Sequence, residues 1–488
     1  MAKEKILVSQ TPILKPGQYD VSEIVELNFF DLTGERIKQK NTSNKFYHIE
    51  LNIEKNGTKA QLYTEYGPTG KVQAREYRCF DSVEAAKKEM DRIVKSKIKK
   101  GYSEIDVAQR VVGSEDAKKI IKPVVYNNLE IIKEIPKSTL DKETQRLMSV
   151  LFSSTAQFVA TTLKCPLGQL SNNQINVGRE KLNQARLVLD QSGTKDSQKI
   201  LQLTNEFYSL IPHNLGSGAR GKMTELLLDS KDKINKKEYD LDTLLDAKDL
   251  NIELTNSTID SQYESLDTTF SFVAHNDNRF VWLNKLIQET RAHNHNYLGK
   301  INLLNAWAIF RNGESSRFLK TAEEIAGQCG KQIFPDKMKS LVESRPDGNS
   351  DLYKKANIIP LFHGTRTQNL TGIIKKGLLI RPSGVVLCGS MYGNGIYNGL
   401  STKAINYSSI NSSYWANGND KVAYLFINDC ILGNPYFPKS SGNYNIGAIA
   451  PKHSVWAKGG QSGVINDEMI LYRTDQNNLK YLLEFSLS

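Results

Sequence analysis

The stretch that decides the fold is LFHGTR at residues 361–366, which ends an apolar run that begins at Ile358. Two further segments belong with it: GNGIY at 393–397, followed by Tyr407, and NDEMILY at 466–472. Together they set His363, Tyr397, Tyr407 and Glu468 in or beside apolar residues. Such residues can build a small aromatic slot with a carboxylate at one end. A slot of that kind suits a flat, cationic ring whose bond to a neighbouring group is to be broken.

Cleavage of an N-glycosidic bond to a cationic pyridinium has few requirements. The leaving group is already charged, so no general acid is needed, and a carboxylate can stabilise the oxocarbenium-like transition state. Glu468 is the candidate carboxylate, while Tyr397 and Tyr407 can stack on the ring. The Gly364 backbone can approach a carboxamide closely, and His363 can hydrogen-bond a ribose hydroxyl. Taken singly, each of these residues is more often structural, because tyrosine is common in β domains and this chain has 21 of them.

The bulk composition indicates a soluble, multidomain protein. A chain of 488 residues is too long to fold around a single hydrophobic core, so several domains are expected. The net charge of +11 favours a polyanionic partner such as nucleic acid, although similar excesses occur in proteins that bind none. The five cysteines are scattered without a CxxC pair, which favours a reducing compartment and argues against a disulfide framework or a zinc site. The sequence also predicts no membrane span and no signal peptide.

The first part of the chain reads as a small β-sheet packed on one helix. Residues 1–20 are interpreted as a tail and 21–110 as the domain itself. Its strands are typified by the alternating FYHIELNI at 46–53, and DSVE at 81–84 resembles a capping box with Asp81 as the cap. Lysines crowd the end of the following helix, at 95–100, and are interpreted as a solvated face.

After residue 110 the hydrophobic pattern of the sequence changes first to a helical period and then to strand-like runs. The predicted fold class is therefore multidomain α+β. Residues 111–137 read as a linker, 138–255 as an all-helical domain and 262–488 as a mixed or antiparallel β domain. The helical domain is expected to contain helices at 172–190, 196–211 and 238–250. The β domain is expected to contain strands at 268–274, 358–363, 421–427, 467–473 and 479–486.

The last domain resembles the catalytic domain of the poly(ADP-ribose) polymerases, the diphtheria-toxin-like ADP-ribosyltransferases with a His-Tyr-Glu signature. Beside GNGIY, the resemblance rests on HGTRT at 363–367, KGL at 376–378 and NLKYLL at 478–483. The helical region resembles the regulatory helical domain of that family through CPLGQLS at 165–171 and FYSLIPH at 207–213. The first domain resembles a WGR domain, the module that binds DNA ends in the DNA-dependent members.

The resemblance implies NAD+ as the substrate, no metal, and a set of site residues. Catalytic roles are implied for Glu468, His363 and Tyr397. Contacts with NAD+ are implied for His363, Gly364, Thr365, Asn369, Arg381, Tyr397, Tyr407 and Asp246. Contacts with DNA are implied for Tyr66, Gly67, Lys45 and Lys71.

The implied function is a DNA-break-responsive transferase that moves ADP-ribose onto proteins, including itself, and extends it to poly(ADP-ribose) in the DNA damage response. Its implied partners are DNA breaks and protein acceptors, with no membrane, and it is expected to be nuclear and monomeric away from DNA. Two alternatives stay open. One is a DNA-end-binding adaptor whose transferase domain is weak or silent, and the other is a transferase of single ADP-ribose units only.

Four departures from the family pattern bear on these expectations. Tyr66 and Pro68 replace the Trp and Arg of the WGR signature, so one cationic phosphate contact is missing. Ala404 replaces a Ser that bonds the nicotinamide carboxamide. Leu379 replaces an Arg near the adenosine, a loss for which Arg381 can compensate. The segment from 453 to 468 is shorter than in the family, which favours a first transfer over chain elongation.

Overall fold

The structure is a computed structural model. It describes residues 7–488 except for 10, 16, 33–42, 56, 69–71, 106–137, 164–166, 168–169, 192–195, 215–222, 251, 253–257, 293–297 and 381–390. The chain forms two compact units, one made of Met1–Pro136 with Gln157–Glu253 and the other of Lys137–Ala156 with Leu254–Ser488. The predicted linker at 111–137 lies outside the described residues. No helix within the described residues is long and apolar enough to cross a membrane.

The first unit begins with an antiparallel sheet and one helix. Among the described residues the sheet has the order β1-β5-β4-β3-β2-β6. Its strands are β1 (Leu7–Ser9), β2 (Tyr19–Asp31), β3 (Ser43–Glu54), β4 (Ala60–Pro68), β5 (Ala74–Phe80) and β6 (Ser103–Ile105), and the helix is α1 (Val83–Lys99). Alternate residues of β3 and β4 face α1, where Ile49, Leu51 and Leu62 are fully buried. The predicted tail at 1–20 thus contains β1 and the start of β2.

Helix α1 departs from the sequence prediction at both ends. Its N-cap is Ser82 rather than Asp81, because Ser82 is extended (φ −141°, ψ 150°) and its side chain accepts a hydrogen bond from the Ala85 N–H at 3.2 Å. At the other end, Lys97 does not belong to a solvated face. Its Nζ lies 3.6 Å from the ring centroid of Tyr47, on the neighbouring sheet. Burial, with the charge of Lys100, lowers the pKa of Lys97 to about 8.

The helical part of the first unit matches the predicted pattern. Its helices are the last turns of α2 (Lys142–Thr162) and the whole of α3 (Asn172–Gln191), α4 (Ser197–Leu210), α5 (Met223–Leu226) and α6 (Lys231–Asp249). The three predicted helices are confirmed as α3, α4 and α6. Helix α6 begins earlier than predicted because Ser230 caps it, accepting from the Lys233 N–H at 3.4 Å.

Within this unit the end of β2 is bonded to α4. The backbone N–H of Phe30 donates to Ser209 Oγ at 2.9 Å, and that of Leu32 donates to Asn205 Oδ1 at 3.0 Å. The Phe30 ring also packs on Tyr208, with centroids 5.0 Å apart. Because these side chains of α4 complete the hydrogen bonding of a strand, the sheet and the helical core are one continuous packing unit.

The second unit is built on a large mixed sheet with helices around it. Among the described residues the strand order is β12-β13-β14-β10-β9-β11-β15-β8-β7, and all neighbours except β12 and β13 are antiparallel. The strands are β7 (Thr268–Phe272), β8 (Ile301–Arg311), β9 (Ile358–Gly364), β10 (Ile396–Gly399), β11 (Val422–Ile431), β12 (Pro435–Tyr436), β13 (Ser454–Ala457), β14 (Glu468–Leu471) and β15 (Asn477–Leu487). The helices are α7 (Ile259–Ser265), α8 (Asn278–Glu289), α9 (Glu314–Ala326), α10 (Met338–Glu343), α11 (Asp351–Lys355), α12 (Leu370–Lys376) and α13 (Ser401–Ile405).

The five predicted strands are confirmed as β7, β9, β11, β14 and β15, and the multidomain α+β fold class is confirmed with them. Strands β8, β10, β12 and β13 were not predicted. The hydrophobic core lies on both sides of the central strands, and β9 is buried from Ile358 to Phe362.

Most of α2, from Lys142 to Ala156, belongs to this second unit. The Arg146 guanidinium donates to the buried carboxylate of Glu484 on β15, with Nη1 2.7 Å from Oε1. Thr155, nearer the middle of α2, donates to the carbonyl of Gln368 at 3.1 Å. Glu484 accepts a further bond from Tyr424 at 2.8 Å. A single helix is therefore shared between the two compact units, which divide at residue 156.

A buried histidine lies between two carboxylates in the small sheet. His48 on β3 bonds Glu26 on β2 through Nδ1 and Glu50 through Nε2, the latter at 2.9 Å. Burial alone would lower the pKa of His48, but the hydrogen bonds and charges of Glu26 and Glu50 outweigh it and raise the pKa to about 10. His48 is therefore a cation in the folded protein at neutral pH.

The stability of the small sheet should fall as the pH rises from 6.5 to 8. A histidine with a raised folded pKa binds its proton in the folded state after the unfolded chain has lost it. Its contribution is complete below the unfolded pKa of 6.5 and is lost as the pH rises through about 10. The expected contribution of His48 to the slope of the free energy of opening rises from about 0.7 kcal/mol per pH unit at about pH 6.5 to about 1.3 at about pH 8, read from hydrogen exchange of β2 and β3 amides.

The control for this prediction is His48→Gln, which should flatten the slope in the same window. Lys97, whose pKa is lowered to about 8, contributes a slope of opposite sign that begins below pH 8, but it does so in both proteins, so the difference between their slopes reports His48. Equal slopes in the two proteins between pH 6.5 and 8 would contradict the assignment of the slope to His48.

Candidate active site

Three neighbouring strands bring the central site residues together. On β10, Gly399 lies opposite Phe362 of β9 on one side and opposite Glu468 of β14 on the other. His363 follows Phe362 directly on β9, and Tyr397 lies two residues before Gly399 on β10. Residues that are distant in the chain therefore meet because β10 is paired on both edges.

Buried asparagines tie these strands to their neighbours. Asn398 on β10 donates to Asn477 on β15 at 3.1 Å and accepts from Asn428 on β11 at 2.9 Å. All three side chains are buried. Since side chains alternate along a strand, this amide chain lies on the face of β10 opposite Tyr397.

His363 is held as a neutral imidazole with a defined tautomer. Its Nδ1 lies 2.9 Å from the carbonyl oxygen of Tyr397. A carbonyl can only accept, so Nδ1 carries the proton and Nε2 keeps its lone pair. Burial lowers the pKa of His363, and the bond to Tyr397 opposes this only in part. The ring can therefore accept a hydrogen bond from a hydroxyl through Nε2.

Glu468 forms an ion pair that the sequence did not predict. Its carboxylate, almost fully buried at the start of β14, is bonded to Nζ of Lys403 on α13. The same Nζ lies 5.4 Å from the ring centroid of Tyr407. A buried carboxylate needs such a partner to remain charged. Lys403 was not identified from the sequence as the partner of Glu468. The one signal for it is that this lysine directly precedes Ala404, in α13.

The loop that leads into β14 is fixed by the residue beside Glu468. Asp467 accepts hydrogen bonds from Trp456 Nε1 at 2.7 Å and from the Gly459 N–H at 2.8 Å. Both donors belong to β13 and the turn after it. The short segment that precedes Glu468 is thus held to the neighbouring strand.

Tyr397 and the glycines shape the slot. The Tyr397 hydroxyl donates to the Gly393 carbonyl at 2.8 Å and accepts from the Tyr392 N–H at 2.9 Å, and burial raises its pKa. Gly393 has φ +82°, which favours glycine. At Gly364 an added Cβ would lie 1.8 Å from the Ala404 carbonyl oxygen, so a side chain is excluded there. The backbones of β9 and α13 can approach each other closely only because Gly364 has no side chain.

The remaining predicted NAD+ contacts are less closely grouped. Asn369 donates to Thr365 Oγ1 at 3.1 Å, just after the end of β9. Tyr407 follows α13 and is 36% exposed. Asp246 lies on α6 in the other compact unit, where its carbonyl accepts from the Leu250 N–H. Arg381 lies outside the described residues.

Three of the four predicted DNA-binding residues, Tyr66, Gly67 and Lys45, lie at one end of the small sheet. Tyr66 stacks on Tyr47 with centroids 5.1 Å apart, and its hydroxyl donates to Glu76 at 2.8 Å, a bond that raises the pKa of Tyr66 to about 12. One face of the Tyr66 ring is therefore already covered. Gly67 is buried, Lys45 pairs with Pro68 across β3 and β4, and Lys71 lies outside the described residues.

A cleft of about 290 Å³ opens beside these rings. It is lined by Tyr47, Tyr66, Glu76, Arg78, Arg92, Ile93, Ser96 and Lys97. Arg78 is paired with Glu76 and Glu89, and Arg92 with Glu89. The cleft is therefore aromatic and only moderately basic. No group of three or more possible metal ligands occurs among the residues that the structure describes.

Three family profiles match the chain in the order of these regions. "Poly(ADP-ribose) polymerase catalytic domain" matches residues 278–464, "Poly(ADP-ribose) polymerase, regulatory domain" matches 138–274, and "WGR domain" matches 30–109. The chain belongs to the poly(ADP-ribose) polymerase family. The catalytic match includes His363, Tyr397 and Lys403 and ends just before Glu468.

Curated members of the family are similar along most of this chain. Poly [ADP-ribose] polymerase 1 of Gallus gallus is 27% identical over 392 residues, which are 72% of this chain and 34% of the chicken protein. Poly [ADP-ribose] polymerase 2 of Homo sapiens is 22% identical over 91% of this chain and 77% of its own length. Protein mono-ADP-ribosyltransferase PARP3 of Mus musculus is 25% identical over 83% of this chain. The chain spans about a third of the polymerase 1 relatives.

Loss of Lys403 should destabilise the second unit through Glu468. Lys403→Met keeps much of the side-chain volume but leaves a buried carboxylate without its cation, which costs about 3 kcal/mol of unfolding free energy. Urea unfolding measures the change. The double variant Lys403→Met with Glu468→Gln should recover most of the loss, because no charge is then left unpaired.

The matched control is Lys421→Met, an exposed lysine of the same unit, which should change the free energy by less than about 0.5 kcal/mol. If the Lys403 variant is destabilised equally with and without Glu468→Gln, the ion pair is not the cause.

Proposed function

We propose that this chain is an NAD+ ADP-ribosyltransferase that responds to DNA breaks and modifies proteins, including itself. The observation that carries the proposal is the pairing of β9, β10 and β14. It sets a neutral His363 and a buried Glu468, paired with Lys403, on opposite edges of β10. Membership of the family supports the same reaction.

The donor side of the site would be formed by β9 and β10. Nε2 of His363 accepts a hydrogen bond from a ribose hydroxyl, because Nδ1 is already committed to Tyr397. The Gly364 backbone meets the carboxamide of nicotinamide, and the ring lies between Tyr397 and Tyr407. Ala404 offers no hydroxyl to the carboxamide, which costs the complex roughly 0.5–1.5 kcal/mol relative to a site with a serine.

The reaction exchanges one bond to the ribose for another. The bond from C1′ to the pyridinium nitrogen breaks, and its electron pair leaves with nicotinamide, which becomes neutral. The Glu468 carboxylate stabilises the positive charge that develops on the ribose. A nucleophilic group of the acceptor then bonds to C1′, and its proton passes to Glu468. Lys403 holds the carboxylate in place for both roles.

Control by DNA would run through the first unit. The aromatic and basic end of the small sheet, at Tyr66 and Lys45, is the proposed contact with a DNA break. The bonds from Phe30 and Leu32 to α4 give the helical core a direct physical connection to that sheet. The helical domain would restrain transfer until DNA binding relieves the restraint. A nuclear location and a monomer away from DNA are part of this proposal.

A transferase of single ADP-ribose units is the second candidate. It is favoured by the short, fixed segment before Glu468, since a growing polymer has to be bound on that side. The mouse relative named as a mono-ADP-ribosyltransferase covers a large part of the chain as well. Product length on a denaturing gel separates the two candidates.

Transfer should require both Glu468 and a DNA break. The protein is incubated with labelled NAD+, with and without nicked duplex. Label on protein should rise several-fold with the nicked duplex. Glu468→Gln should lower the rate at least about 100-fold, because it removes the charge that stabilises the transition state. The matched control is Glu343→Gln, an exposed glutamate on α10, which should transfer at the wild-type rate.

The outcomes separate the parts of the proposal. No label on protein in any tube would exclude the enzyme and leave the adaptor. Equal label with and without DNA would exclude control by breaks. Unchanged transfer in the Glu468 variant would remove Glu468 from the mechanism while leaving the activity itself intact.

A further inference from the structure

Three aromatic side chains are exposed directly after α13. Tyr407 is 36% exposed, Tyr414 69% and Trp415 58%. Trp415 lies nearly parallel to Tyr407, with ring centroids 6.2 Å apart and an angle of 17° between the planes. Tyr414 meets Trp415 edge to face, at 4.8 Å and 87°. The three rings therefore form one contiguous group that starts at Tyr407.

Buried Asn406 directly precedes Tyr407 and is hydrogen-bonded to the backbone of Tyr414 and Trp415. The backbone carbonyl of Asn406 accepts hydrogen bonds from the N–H groups of Trp415 and Ala416, both at 3.0 Å, and its side-chain oxygen accepts from the Tyr414 N–H at 3.0 Å. Asn406 is 3% exposed and directly precedes Tyr407. The residue that positions Tyr407 in the chain thus also positions Trp415 beside it.

Further bonds make the loop a defined structure. The Gly418 N–H donates to Ser413 Oγ at 2.9 Å, and an added Cβ at Gly418 would lie 2.1 Å from the Ser409 carbonyl oxygen. Arg366, just beyond the end of β9, donates to the Ala416 carbonyl at 3.2 Å. The exposure of Trp415 is therefore built into the loop, which is bonded on two sides to elements of the candidate active site.

The stacking of Trp415 on Tyr407 restricts the rotation of the Tyr407 ring. Offset parallel rings at this separation attract each other, so Trp415 disfavours rotation of Tyr407 away from the stacked orientation. A ring that is already fixed loses less freedom when a planar ligand stacks on it. Trp415 stacks on Tyr407 and Lys403 Nζ lies 5.4 Å from its ring centroid, yet over a third of Tyr407 is exposed, and a planar ligand can stack on that exposed part.

We propose that Trp415 is a positioning residue for Tyr407, which fixes the plane on which a planar aromatic amide stacks in this site. The inference rests on the proposed function only in assigning the nicotinamide ring to Tyr407. It predicts that Trp415 sets the affinity for the ring and leaves the chemical step at Glu468 unchanged. Tyr414, which contacts Trp415 and lies on the same loop, has no such role.

The other tryptophans make the test a spectroscopic one. Trp282, Trp307 and Trp456 are at most 6% exposed, so Trp415 is the exposed member of the four in this chain. Benzamide serves as the probe because it is planar, carries the carboxamide and does not react. Titration of the full-length protein should change the emission of Trp415. The signal should be lost in Trp415→Leu and Trp415→Phe.

Affinity for benzamide, measured by calorimetry, should fall about three- to tenfold in Trp415→Leu, because one aromatic contact no longer fixes Tyr407. Trp415→Phe should keep most of the affinity, since a ring remains beside Tyr407. Tyr414→Leu should match the wild type within about twofold. With NAD+ as substrate, KM should rise by the same factor in Trp415→Leu while kcat stays within about twofold.

Each outcome decides the matter. Wild-type affinity in Trp415→Leu, an equal loss in Tyr414→Leu, or a fall in kcat without a change in KM would each overturn the role of Trp415. Failure of benzamide to bind the wild type would overturn both this inference and the assignment of nicotinamide to Tyr407. Benzamide binding without any transfer would remove the proposed function alone. Thermal unfolding of each variant shows that the fold is retained.

Discussion

The second unit depends on the pairing of one four-residue strand. Strand β10 is bonded to β9 on one edge and to β14 on the other, and its last residue, Gly399, lies opposite Phe362 and Glu468 at once. A slip of one residue in either pairing would turn Tyr397 or Glu468 to the other face of the sheet. The amide chain through Asn398 opposes such a slip, because a shifted Asn398 would leave buried donors and acceptors of Asn428 and Asn477 unpaired.

Two ionisable side chains lie beside β10: Glu468 is paired with Lys403, and His363 is neutral. Glu468 is buried with Lys403 as its cationic partner, whereas burial lowers the pKa of His363 and leaves the ring neutral. The result is a single carboxylate charge, held in place, beside a hydrogen-bond acceptor without charge. In the proposed reaction, Glu468 would meet a developing positive charge at one edge of β10 and His363 would meet a hydroxyl group at the other. The small sheet uses the opposite solution at His48, which is charged because two carboxylates surround it.

Much of this arrangement could be predicted from the sequence, and the exceptions have physical reasons. Strands such as β9 and β15 are predictable because their apolar runs are bounded by Gly and Asn, and His363, Tyr397 and Glu468 lie in recognisable segments. Strand β8 was missed because INLLNAWAIFR at 301–311 shows neither a clear helical nor a clear strand period. Lys403 and Lys97 were missed because their partners come from other strands. Ser82 replaced Asp81 as a cap because two adjacent residues could each cap, and only backbone geometry selects one.

Helix α2 has a practical consequence for dissecting the protein. Arg146 of this helix is bonded to Glu484 on the large sheet, and Thr155 is bonded to the Gln368 carbonyl in the turn after β9, although the regulatory profile begins at residue 138. A fragment cut at the boundary between the regulatory and catalytic profiles would leave the Glu484 carboxylate buried without its guanidinium. Fragments that keep residues 137–156 with the large sheet preserve that pair, even when the other regulatory helices are absent. The boundary between the two compact units therefore runs through α2. A recombinant fragment of the second unit has to join residues 137–156 directly to residues 254–488, with the helices between them deleted.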